Sequence, residues 1–247
     1  MRMLNAGAVL SWALLFSVTG GEASNAATVV SSANGWYQSN DFTAGVTNNI
    51  YVGWNPNTGA TYRNWSAFNL AGLAGQNITG ATLTFYGGNG NYGGTDPSET
   101  LGLFNYTGSI NALVNNQSGV GIYNDLGTGA SYGQATVSAG PLNQFSITLS
   151  QQAIADMIAA ANNSSDQRFV IGGALLTAAL VHDGSNWWTD GALFVNSTLQ
   201  NAAFLSIETA PLATPLPAAL PLFASVLAGG GLMAWRRKRK AAKPLAA

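Results

Sequence analysis

Phe145, Ser146, Ile147, Thr148 and Leu149 place apolar side chains at every second position with hydroxyls between them. Successive side chains of a strand point to opposite faces, so this order makes one face apolar and the other wet, as in a strand half-buried in an antiparallel sheet. Similar short runs recur at Ile50 to Trp54, Tyr62 to Leu70, Ala81 to Tyr86, Leu101 to Tyr106, Gln134 to Val137, Gln144 to Leu149, Arg168 to Gly172, Ala192 to Val195 and Ala203 to Glu208. Turn-forming Gly, Asn, Ser, Thr and Pro punctuate them. In the second run Ser66, Phe68 and Leu70 share one face, while Trp65 and Asn69 point the opposite way. No internal repeat or long linker divides Thr28 to Ala210, so a single domain is expected. Its fold class is all-β, an antiparallel, jelly-roll-like β-sandwich of about eight to ten strands.

One segment has helical spacing instead. Ile154, Met157, Ile158 and Ala161 fall at i, i+3, i+4 and i+7 behind Ser150, a suitable N-cap, and Asn162 and Asn163 end the run. This predicts one short amphipathic helix of about three turns, covering an end or flank of the sandwich and packed on the strand that resumes at Phe169.

Charge narrows the function. Between Thr28 and Ala210 the basic residues are Arg63 and Arg168, set against nine acidic ones, and there is no lysine. A domain near −7 lacks the basic footprint that neutralises phosphates, so nucleic acid is not an expected partner. Cysteine is absent, which removes disulfides, thiolate metal sites and a cysteine nucleophile. Stability must come from a core.

The two ends have a different character. Arg2 precedes an apolar run from Ala6 to Val18, and small residues follow with Ser24 and Ala26 placed for signal peptidase, the pattern of a cleavable secretory signal. At the other end Ala218 to Trp235 carries no charge over eighteen residues. As a helix it would reach about 27 Å, close to the hydrocarbon thickness of a bilayer. Arg236, Arg237, Lys238, Arg239 and Lys240 follow at once, and such a cluster stays cytoplasmic, which places the rest of the chain across the membrane. Pro215, Pro217 and Pro221 stiffen the approach to the span.

With its motif at Thr214, Pro215, Leu216, Pro217 and Ala218, this tail resembles the PEP-CTERM class of bacterial C-terminal sorting signals, most closely the variant reading VPLPA. Leu216 stands where the parent motif has Glu, and Thr214 where the variant has Val. The resemblance covers about the last thirty residues. It implies an exosortase, a membrane-embedded cysteine protease or transpeptidase, as processing partner. It further implies transient residence in the inner membrane of a Gram-negative bacterium, then delivery to the cell surface or to an exopolysaccharide or biofilm matrix. The run Asn64 to Tyr86, NWSAFNLAGLAGQNITGATLTFY, resembles bacterial surface jelly-roll modules, a class that includes carbohydrate-binding and adhesion domains. The expected organisation is a signal peptide over 1–26, a β-sandwich ectodomain over 27–210, a tether with the proline motif over 211–217, a transmembrane helix over 218–235 and a basic tail over 236–247.

Two motifs suggest chemistry without its context. Gly129 to Gly133, GASYG, matches the nucleophile-elbow pattern with Ser131 as nucleophile, and Asp156 or Asp166 with His182 would complete a hydrolase order. An elbow needs a helix directly after it, whereas Gln134 to Val137 reads as a strand. Gly88 to Gly93, GNGNYG, has dinucleotide-loop spacing, but Gly94, Thr95, Asp96 and Pro97 prolong what reads as a surface loop. No catalytic set and no obligatory cofactor is therefore expected, and the chain reads as non-enzymatic, with a hydrolase built on Ser131 as the lesser alternative.

Candidate ligands for Ca²⁺ are Asn89, Asn91, Asp96 and Glu99 in one expected loop and Asp183, Asn186 and Asp190 in another, since Ca²⁺ takes carboxylate and amide oxygens. Trp54, Trp65, Trp187 and Trp188 sit among Asn, Ser, Thr and Gly and are candidates for stacking on sugar faces. The competing fate for such tryptophans is the core. A structural or adhesive matrix role and a carbohydrate-binding module are thus the two readings carried forward.

Overall fold

The computed structural model describes residues 25–40, 43–46, 49–55, 59–93, 97–138, 140–177, 192–196, 203–210 and 236. Contacts divide the chain into a unit ending at Pro211 and a second one from Leu212. The first is mostly strand: β1 (Asn25–Gln38), β2 (Thr43–Val46), β3 (Asn49–Asn55), β4 (Ala60–Asn69), β5 (Asn77–Gly93), β6 (Ser98–Asn105), β7 (Ser131–Ser138), β8 (Gly140–Thr148), β9 (Arg168–Leu175), β10 (Ala192–Asn196) and β11 (Ala203–Ala210). All pairings are antiparallel, and the sheet is nearly closed into a barrel.

Two long strands bring the sheet round on itself by changing partner. β1 pairs with β11 over Asn25–Val30, then with β4 over Ser31–Gln38, and its register shifts between Ser31 and Ala33 where the exchange occurs. β5 does the same on its way from β11 to β10, with β8 along it as well. An extra residue in a strand bends it and sharpens its twist, which is how a single strand serves two directions. With β3 pairing both β10 and β4, the circuit of neighbours returns to β1.

All nine runs read as strands are strands. β8 keeps the alternation of the sequence: Ile147 and Leu149 are buried while Gln144, Ser146 and Thr148 are exposed. Three differences stand out. The Gly88–Gly93 stretch is the end of β5 rather than a surface loop, because hydrogen bonding to β8 and β10 outweighs the poor strand propensity of Gly and Asn. β1 and β2 join the sheet although neither alternates clearly. The segment between β6 and β7 forms two short helices, α1 (Ile110–Val114) and α2 (Val120–Asp125), where a single helix was expected in the whole domain.

The expected helix is α3 (Gln151–Ala161); the Ser150 side chain accepts from the Ala153 N–H at 3.4 Å. It packs on β5, β7 and β9, and Ile154 and Met157 join a core with Ile50, Phe68, Leu83, Leu103 and Leu205. A second cluster lies on the other face of β4. There Trp65 and Ala67 meet Ala33 and Tyr37 of β1, Val170 of β9, and Leu113, Tyr123 and Leu126 of the helical insert. The opposite orientation of Trp65 and Phe68 is therefore real, yet both faces are covered.

Gly172 on β9 makes this cover fit. A Cβ there would stand 2.4 Å from the Leu126 carbonyl oxygen and 2.8 Å from its Cα, so the turn after α2 rests directly on the strand. Since the obstacle is backbone, it cannot rotate away. Gly172→Ala is expected to destabilise the domain by about 1–3 kcal/mol in urea unfolding; an unchanged midpoint would mean that the Leu126 turn is not seated on β9.

Candidate functional site

Residues that were expected to act together are placed as follows. Asn89 and Asn91 lie within β5 and Glu99 within β6, rather than in one loop. Glu99 is buried and accepts a hydrogen bond from the Thr177 hydroxyl. Asp96, Asp183, Asn186 and Asp190 lie outside the described residues, as do His182, Trp187 and Trp188. Ser131 opens β7 and no helix follows it directly. Asp156 accepts from the Tyr132 hydroxyl at 2.7 Å and from Gln152 at 3.0 Å, and Asp166 is paired with Arg168. Trp65 is wholly buried and Trp54 is 8% exposed, so neither offers an open ring face to a sugar. Their polar neighbours in sequence misled, because those neighbours occupy the alternate positions of a strand covered on both faces. The proline motif, Pro215 to Ala218, and Arg237, Lys238, Arg239 and Lys240 are outside the described residues; Arg236 is exposed. Among the described residues no helix is long and apolar enough to cross a membrane.

What the fold assembles instead is a cleft where β4 exchanges β3 for β9. Tyr62 pairs with Gly53 of β3, and Asn64 pairs with Gly173 of β9. Thr61, Tyr62 and Arg63 form one side of a cleft of about 250 Å³, with Gly53, Ala174, Leu175 and Tyr123 of α2 completing it.

Arg63 dominates this cleft. Its guanidinium carbon lies 4.3 Å from the centre of the Tyr123 ring, a cation–π distance. Its Nη1 donates to the carbonyl oxygens of Tyr123 and Asn124 at 3.0 and 2.8 Å, the last turn of α2, where cations are favoured. Gly127 leaves the necessary room, since a Cβ there would fall 2.3 Å from Nε. The Tyr123 and Thr61 hydroxyls hydrogen-bond to each other.

Arg168 steadies the other end of the insert. It donates to Asp166 through Nε at 2.8 Å and Nη2 at 2.7 Å, and Nη2 also reaches Asn111 of α1 at 2.7 Å. The hydrogen bond from Arg168 holds the Asp166 carboxyl below its usual range. Both cations of the domain therefore touch the α1–α2 insert, and they differ in that only Arg168 has a carboxylate partner among the described residues.

A sequence signal for Arg63 existed: it is one of two basic residues in an acidic domain. Its cleft mates Thr61 and Tyr123 had none. No protein-family model matches this chain, and no curated protein matches it significantly.

Beside the cleft, Tyr62 belongs to an aromatic cluster with Trp36 and Tyr51, in edge-to-face contacts at 5.0 Å and 4.4 Å from the Tyr62 ring. Burial, aided by Tyr62, pushes the Tyr51 hydroxyl pKa upward. Burial also raises Tyr132, with help from its hydrogen bond to Asp156, and pushes Tyr106 up to about 12 from 10.0. Between these values the unfolded chain loses phenolic protons that the folded one retains, so stability is intact below pH 10.0 and falls as pH rises toward about 12. An ultraviolet titration should show a group of tyrosines ionising only as the fold is lost. Normal titration of all eight tyrosines on an intact fold would contradict this burial.

Proposed function

We propose that the chain is an exported, non-enzymatic protein of the cell surface or extracellular matrix, a jelly-roll-type sandwich with a structural or adhesive role in an exopolysaccharide layer. The observation that carries this reading is the tripartite tail: proline motif, uncharged span and basic cluster over Thr214 to Lys240. In this reading the leader is removed by signal peptidase, the tail holds the protein in the inner membrane, and an exosortase-type enzyme processes it.

The arrangement of the domain's own ends supports it. Just beyond the expected leader, Ala27 of β1 pairs with Ile207 and Thr28 with Ser206, near the end of β11. Leader and tail thus depart from neighbouring positions, and a domain tethered through either would turn the same end toward the membrane. Seven residues, 211–217, separate Ala210 from the uncharged span, a reach of at most about 29 Å.

The second reading, a carbohydrate-binding module, rests on the cleft rather than on Trp54 and Trp65. The test of the first is to compare the mass and location of the mature protein with and without Thr214 to Lys240. The full chain is expected to lose tail mass and reach the surface or matrix, whereas the deleted form should be released without that step. Identical mass and destination for both would overturn the sorting role.

A further inference from the structure

We propose that the cleft between β3 and β9 binds the carboxylate of a compact, hydroxyl-bearing acid, namely a sugar acid, through Arg63. The proposal stands on the cleft's geometry and is independent of where the chain is sent. Arg168 is neutralised by Asp166, but among the described residues Arg63 meets the Tyr123 ring and two carbonyl oxygens and no carboxylate, and its Nε and Nη2 donate no hydrogen bond. A guanidinium with unused donors, lining a concavity, is suited to a carboxylate: charge-assisted bonds are the stronger kind, and the planar fork matches two oxygens.

The group is held in place before any ligand arrives. Tyr123 lies against it, two carbonyls fix Nη1, and Gly127 admits it, so little side-chain freedom remains to be lost on binding. The net charge near −7 opposes an incoming anion only weakly, because charges beyond the Debye length of about 8 Å are screened at physiological salt. At contact distance the guanidinium prevails.

Size and hydroxyls set the rest of the ligand. The volume of about 250 Å³ is below the usual range of about 300–1,000 Å³ for ligand pockets, which suits one sugar ring and not an oligomer's length. Thr61 and Tyr123 use one proton between them in their mutual bond, leaving a second donor and spare lone pairs for ligand hydroxyls.

The experiment is calorimetric titration of the full chain, purified in neutral detergent, with glucuronate, glucose and acetate. Glucuronate is expected to bind saturably, with glucose and acetate each weaker by at least about tenfold, since one lacks the charge and the other the ring. Arg63→Gln should abolish binding. Because Arg63 also anchors α2, Thr61→Val provides a second variant that retains the guanidinium and the Tyr123 ring, and it should weaken glucuronate by about threefold or more. Equal binding of glucose would make this a neutral-sugar site, and equal binding of acetate a bare anion site; either overturns the proposal. So would the absence of saturable binding, or undiminished glucuronate binding by a folded Arg63→Gln variant.

Discussion

The register shift between Ser31 and Ala33 of β1 is the constraint on which the rest of the domain depends. Before it, β1 borders β11; after it, β1 borders β4, so one strand joins the beginning of the circuit to its end. The strand's apolar hold is carried by Val29, Ala33, Trp36 and Tyr37, while Val30 is 41% exposed. Backbone pairing adds to this, each bond contributing only about 1 kcal/mol net but many acting together. Losing them would uncover Leu205 and Ile207 on one side and Trp65 on the other, all now buried.

Register in this strand is fixed by what faces inward. Asn34 opposes Ser66, and Trp36 opposes Asn64, while Ala33 and Ala67 face the helical insert. A slip by one residue would exchange these sets, pushing Asn34 into an apolar cluster and Ala33 beside polar partners. The Tyr37 hydroxyl, which donates to the Gln117 carbonyl at 2.9 Å, would lose its acceptor as well. Closure, register and the docking of the insert are therefore one problem with one solution.

Much of the sheet was legible because nine runs carry alternation or turn boundaries within a few residues. β1 was not, since its sequence NAATVVSSANGWYQ has few apolar positions and its first partner is near the far end of the domain, Asn25 against Thr209. α1 and α2 span five and six residues, too short for a 3.6-residue period to register. Their docking explains Trp65: nothing local says that a second layer covers the outer face of β4, and Gly172 makes sense only once Leu126 lies upon it. In the cleft, Arg63 was conspicuous as a rare cation, but Thr61, Tyr123 and Ala174 come together only through the exchange of β3 for β9 and through the insert. Local chemistry announced the cation; long-range topology made the concavity around it.

Hydrogen exchange of the full chain tests the role of β1 most directly. If β1 closes the sheet, its hydrogen-bonded amides between Asn25 and Gln38 should exchange only in the same global opening that exposes β4 and β11, with equal protection in all three strands. Rapid exchange along β1 while β4 and β11 stay fully protected would contradict it, since the domain would then hold together without the strand that links its two halves.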